Sequence, residues 1–300
     1  VTGSFNIAVG SSALRNLTTG PSNVAIGVNS LEALTTGDRN IMVGMSSGAG
    51  YDAENDNLGI GHSALGGSVA GGEFNVAIGN YALDALTSAD YSVAVGYDAG
   101  SAITTGGNNT LMGYQAGKHI TTGTNNTGVG IQALYNFDTE TSNTAFGQSA
   151  LGGAIAGGEY NVAVGNLTLD ALTSGDFNTA IGYISGSALT TGSNNTSVGN
   201  QSLENHTIGN DNTAIGSGAL NANTEGEQNT AIGRAALGGN TTADNNTAVG
   251  YTALLANTTG EHNIGIGNAA VNGGDTENHN LGIGTDALGG SVAGGEYNVA

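Results

Sequence analysis

Three hundred residues would ordinarily make one or two globular domains, but here four basic residues stand against 24 acidic ones, a net charge of −20. Such a surface repels nucleic acid and anionic lipid, so neither is expected as a partner. The chain has no cysteine, hence no disulfide frame or thiolate metal site, and no apolar run near the ~20 residues of a membrane span.

Along the chain one phrase, Asn-x-Ala-Ile/Val-Gly, recurs from end to end. It opens at Asn6, Asn23, Asn40, Asn57 and Asn75, then at Ser92, then at Asn109, Asn126, Asn143, Asn161, Asn178, Asn195, Asn212, Asn229, Asn246, Asn263, Asn280 and Asn298. The step is 17 residues, except from 57 to 75, 143 to 161 and 280 to 298, where it is 18. A short, regular period predicts a solenoid, whose coils contact only their neighbours. Residues 1–300 read as a single array, and the broken phrases at Val1 and Ala300 read as an internal piece of a longer fibre.

One coil, Asn178 to Asn194, shows the expected elements. The second and fourth places (Thr179, Ile181) are β-branched or apolar throughout and share one face of a short strand, with Ala180 on the other. Both faces are thus free of charge, yet one thin coil can enclose only one of them, so self-association, most simply as a homotrimer, is expected. The fifth place is invariably Gly, as at Gly27, Gly182 and Gly250, where a positive φ or close backbone approach is anticipated. The ninth is usually Leu and reads as part of a second short strand pointing inward. In four coils it is Gly (Gly48, Gly100, Gly117, Gly186), and each of these has a larger group three places on (Tyr51, Ile103, Ile120, Leu189), as volume compensation requires. The rest, often Thr-Thr-Gly and an acidic residue, is turn chemistry. In sum the expectation is all-β. Its structural columns are Asn23, Asn178 and Asn246, then Ile26, Ile181 and Val249, then Gly27, Gly182 and Gly250.

The phrases Asn23-Val-Ala-Ile-Gly27, Ser92-Val-Ala-Val-Gly96 and Asn161-Val-Ala-Val-Gly165 resemble the head repeats of trimeric autotransporter adhesins. That resemblance implies a left-handed parallel β-roll of 17–18-residue coils, packed as a homotrimer at the cell surface, although the family's own coil is shorter. The longer form, Asn246-Thr-Ala-Val-Gly250 through Gly260, also resembles repeats of phage tail fibres. The implied function is a structural and adhesive segment of an extracellular fibre that mediates surface attachment through a host receptor or glycan. The alternatives are a phage or injection-system tail fibre and, further back, a calcium- or ice-binding solenoid. A coarser duplication fits a fibre: Asp52 to Gly61 returns as Asp275 to Gly284, each followed, after two further residues, by Ala-Leu-Gly-Gly-Ser-Val-Ala-Gly-Gly-Glu.

No converging catalytic set is visible, so an enzyme is not expected. The five histidines (His62, His119, His206, His262, His279) are read as solvated turn residues that no column brings together. Acidic residues recur near the sixteenth place, and Asp38, Asp90, Asp176 and Asp244 are the candidate Ca²⁺ ligands there, without the Gly-Gly-x-Gly-x-Asp pattern of calcium β-rolls. No other cofactor is implied. Two aromatic sets, Tyr97, Tyr114, Tyr183 and Tyr251 after the invariant Gly, and Phe74, Tyr91, Tyr160, Phe177 and Tyr297 before the opening residue, are expected to pack between coils or chains.

Overall fold

A computed structural model describes residues 2–67, 71–153, 157–273, 276–290 and 294–300. Asp275 and the Ser-Val-Ala stretches 68–70 and 291–293 of the duplicated block lie outside the described residues. The chain forms an all-β parallel β-solenoid, with no helix among the described residues. It divides into two compact units, Val1–Ala156 and Gly157–Ala300. Unit 1 carries strands from β1 (Ile7–Val9) to β9 (Thr144–Phe146), and unit 2 those from β10 (Val162–Val164) to β17 (Leu281–Ile283). Within each unit every strand is three residues long and pairs in parallel with the next coil. The register puts like on like: Val76 on Val93 on Thr110, and Thr179 on Thr196 on Thr213.

Each coil has one strand, at places two to four, and the rest is stacked turn. The expected second strand is absent because the backbone there is left-handed. The seventh and ninth places both have positive φ, as at Gln201 (58°) and Leu203 (49°), or Asn29 (58°) and Leu31 (49°). A leucine resists that conformation, but two contacts hold it there. Its N–H donates to the next coil (Leu31 to the Ser47 carbonyl, 3.0 Å; Leu203 to that of Ala219, 3.0 Å), and its side chain is buried in the core. The four coils with Gly at this place relieve the strain and leave room. At Gly100 a Cβ would lie 3.0 Å from side-chain atoms of Leu83, Ile103 and Leu111, and at Gly117 only 2.7 Å from Leu111. The compensating Tyr51, Ile103, Ile120 and Leu189 are indeed buried, as are Met42 and Leu111, the two large residues of the alanine column.

The invariant glycine has a firmer reason. At Gly27, Gly182 and Gly250 φ is 138–140°, a region only glycine enters readily. A Cβ there would stand 2.3 Å from the carbonyl oxygen of the next coil's glycine. The coils therefore stack on a spine of bare backbone.

The opening asparagine forms a buried ladder. Asn178 N–H donates to Asn161 Oδ1 (2.9 Å), Asn195 N–H to Asn178 Oδ1 (2.9 Å), and each amide Nδ2 donates to a carbonyl of its own coil, Gly192 and Gly209 (both 2.9 Å). Asn23, Asn40 and Asn246 repeat the pattern. Ser92 is the weak rung, since Asn109 N–H reaches its shorter Oγ only at 3.4 Å.

A glutamate replaces the usual small residue at the fifteenth place in the coils that precede the 18-residue ones: Glu54, Glu140 and Glu277. Glu54 is buried. Its Oε2 accepts N–H bonds from Asp52 (2.6 Å) and Ala53 (2.9 Å), and its Oε1 accepts one from Gly71 in the longer coil (3.1 Å). Glu277 does the same for Gly294 (2.8 Å). Charge-assisted acceptors of this kind satisfy backbone donors that the extra residue leaves without a ladder partner.

Candidate functional site: an exposed apolar face

The strand alternates, so one of its faces is interior and the other is not. Ala25, Ala77, Ala94, Ala180 and Ala214 point inward and are fully buried. The fourth-place column points out. Ile26, Ile60 and Ile78 in unit 1 and Ile181, Ile215, Ile232 and Ile266 in unit 2 leave 36–40% of their surface in water. The alanine face fits inside because the ninth- and twelfth-place side chains already fill a thin core, and an isoleucine there would overpack it.

Neighbouring columns widen the outer face. Tyr97, Tyr114, Tyr183 and Tyr251, two residues beyond the fourth place, are all about half exposed, as are Val28, Met45 and Ile131 at the same place in other coils. The rings of Tyr97 and Tyr114 stack at 5.7 Å, and Arg234 lies over Tyr251 at 5.9 Å. In each unit, then, the fourth-place column, β-branched except at Met112 and Phe146, runs coil after coil along the outside. The sixth place widens it with five apolar groups in unit 1 (Val28, Met45, Tyr97, Tyr114, Ile131) but only with Tyr183 and Tyr251 in unit 2, where Asn166, Asn200, Ser217, Arg234, Asn268 and Thr285 take the other coils. Single exposed apolar residues are ordinary, but a contiguous row of them marks an interaction surface.

The second aromatic set also stacks along the coils. Phe74 lies on Tyr91 (5.1 Å, 2° between planes) and Tyr160 on Phe177 (5.0 Å, 2°). Each ring of a pair covers one face of the other, and all four remain about half exposed.

The histidine reading needs correction on two counts. His262 and His279 both occupy the seventeenth place, so the stack brings their rings to 5.0 Å in parallel planes, with Tyr297 next at 4.8 Å. In parallel planes their lone pairs do not converge on a common point. His206 is not solvated: it is fully buried at the twelfth place, and that burial pulls its pKa below the ordinary value despite a bond to the Gly209 carbonyl. His62 and His119 sit edge-on against Tyr81 and Tyr135.

The acidic column is engaged in turn bonding. Asp90 Oδ1 accepts the N–H of Glu73 (2.8 Å), Asp176 Oδ1 that of Glu159 (2.8 Å) and Asp244 Oδ1 that of Glu227 (2.7 Å). Asp38 instead pairs with Arg39 (2.5 Å), which also grips Asp56 and holds that carboxyl below its usual range. Among the described residues no three His, Cys, Asp or Glu side chains are grouped so as to hold a metal ion. The threonine columns are likewise occupied: Thr190 Oγ1 donates to the Thr207 carbonyl and Thr207 Oγ1 to that of Thr224 (both 2.9 Å).

Reading the sequence by place would have found the buried polar column His206, Asn223, Asn240 and Asn257, since all four share the twelfth place. No protein-family model matches the chain, and no curated protein does.

Proposed function

We propose that this chain is a structural and adhesive segment of an extracellular fibre, in which three copies associate as a left-handed parallel β-roll. The observation that carries this reading is the uncovered apolar face. At about 25 cal/mol per Å² of apolar surface, covering one exposed isoleucine of each coil contributes on the order of 1 kcal/mol. A column repeated coil after coil sums to a stable interface. A second copy of the same chain is the economical cover, because its own face repeats at the same interval and closes by symmetry. The adhesin-like phrase supports the same assignment, while the longer coil favours a phage or injection-system tail-fibre shaft as the second reading.

Sedimentation equilibrium tests the association: the expected mass is about three times that of the 29.3 kDa chain, and a monomer at micromolar concentration overturns the reading. The double variant Ile181→Asp/Ile215→Asp is expected to dissociate the assembly while its β-type circular dichroism persists. Retention of the wild-type assembly on cell- or glycan-coated surfaces tests the adhesive half, and an assembly that binds neither is a spacer.

A further inference from the structure

The core of unit 2 contains a chain of amides that ends on an imidazole. Asn257 Nδ2 donates to Asn240 Oδ1 (3.1 Å), Asn240 Nδ2 to Asn223 Oδ1 (3.0 Å), and Asn223 Nδ2 meets His206 Nδ1 at 3.0 Å. The second hydrogen of each amide goes to a carbonyl of its own coil: Gly260 (2.9 Å), Ala243 (3.0 Å) and Gly226 (3.0 Å). His206 Nε2 lies 2.8 Å from the Gly209 carbonyl, an acceptor. The network therefore sets the tautomer, with Nε2 carrying the hydrogen and Nδ1 accepting from Asn223. All four side chains are fully buried or within 1% of it.

We propose that His206 is an acid-sensitive latch: protonation at Nδ1 opens the coils around it and leaves the coils of unit 1 closed. Adding a proton turns the Nδ1 contact into donor against donor. Turning over Asn223 would offer Oδ1 to the new N–H, but it would face its Nδ2 towards that of Asn240 and its oxygen towards the Gly226 carbonyl. Turning over Asn240 and Asn257 as well passes the conflict along and adds an oxygen–oxygen contact at each coil. No local rearrangement accommodates the charge, and buried polar groups left without partners are costly. Nor is there a counter-ion. Asn212 and Asn223 meet the ring and Leu189, Asn195, Ser197 and Leu203 line the same small cavity, while Glu204 and Asp211, the acidic residues nearest in sequence, and Glu225 of the next coil lie outside the core.

The direction follows from linkage. The folded state keeps His206 neutral below the ordinary histidine pKa of about 6.5, whereas the opened state takes up the proton. Closure is at full strength above that pH. It weakens as pH falls, by up to about tenfold in the opening equilibrium per pH unit, until the depressed folded pKa is reached.

Hydrogen–deuterium exchange of the whole chain from pH 7.5 to 5, corrected for intrinsic rates, tests the proposal. Amides of residues 203–226 should open progressively below pH 6.5, while those of residues 93–126 stay level. In His206→Asn the new Oδ1 can accept from Asn223 and the new Nδ2 can donate to Gly209, so the ladder is retained and the acid response should vanish. A flat wild-type profile, or an undiminished response in His206→Asn, overturns the latch. Should that variant not fold, imidazole ¹⁵N shifts of wild-type His206 decide: an Nε2–H tautomer that persists below pH 6.5 supports it, and an Nδ1–H tautomer at neutral pH overturns it.

Discussion

The twelfth place of the coil separates the two units. Among the described residues of unit 1 it reads Leu17, Leu34, Tyr51, Leu86, Ile103, Ile120 and Phe137, all buried. Unit 2 begins the same way, with Leu172 and Leu189, then changes to His206, Asn223, Asn240 and Asn257, no less buried. One backbone thus accepts either filling. Isolated amides in a core are costly, but a stack supplies each with an identical neighbour one coil away, so a side chain with both a donor and an acceptor satisfies its own copies. What separates the units is cooperativity. A leucine column is held by contacts that can be lost one at a time, whereas the amide column is satisfied as a whole or left with unpaired ends.

The largest effect should ignore the contrast. Gly96→Ala in unit 1 and Gly182→Ala in unit 2 both demand a φ near 140° and a Cβ about 2.2–2.3 Å from the next coil's carbonyl. Each is expected to cost about 4 kcal/mol or more, read as loss of exchange protection in its own and adjacent coils; tolerance in either unit would show that the spine is not common to both. Next, Phe137→Ala should cost about 3–5 kcal/mol through the cavity it leaves, measured in unit 1 by the same means. Asn240→Leu should cost about 2–3 kcal/mol despite the added hydrophobicity, because Asn223 Oδ1 loses its amide donor and one hydrogen of Asn257 Nδ2 its acceptor, while the Ala243 carbonyl is left with Asn229 alone. Replacing His206, Asn223, Asn240 and Asn257 together by Leu should cost less than the single change. If the fourfold variant is the worse, the amide column is not a unit. The smallest effect is a gain: Ser92→Asn restores the stretched rung to Asn109 and should stabilise its coil by about 1 kcal/mol.

The coil itself was legible, because a 17-residue beat with Gly at a fixed place leaves few alternatives to stacked parallel strands. The asparagine ladder was legible for the same reason. The second strand was misread because leucine in a left-handed turn violates a local preference that only inter-coil bonds override. The clue was there nonetheless: a place that alternates between Leu and Gly, as at Leu31, Gly48, Leu83 and Gly100, is one where backbone conformation matters as much as side-chain volume. Which apolar column faces outward could not be read from the strand alone, since it depends on how much space the turn leucines leave inside. His206 and the pair His262 and His279 were missed by taking histidines one by one rather than by place.

The asparagine ladder has a consequence for inheritance. The opening asparagines accept the main-chain N–H of the following coil on Oδ1, as Asn161 and Asn178 do, and Asn178 Nδ2 bonds its own coil, so apart from the rung at Ser92 the joints within a unit are of one kind and point the same way. A coil copied or deleted by unequal recombination between repeats meets neighbours it already fits, and no new interior has to be invented. The sequence carries such traces: Asn75 to Asp90 reads almost residue for residue as Asn161 to Asp176. Descendants of this gene can therefore differ in reach by whole coils while leaving the hydrogen-bonding of each unchanged.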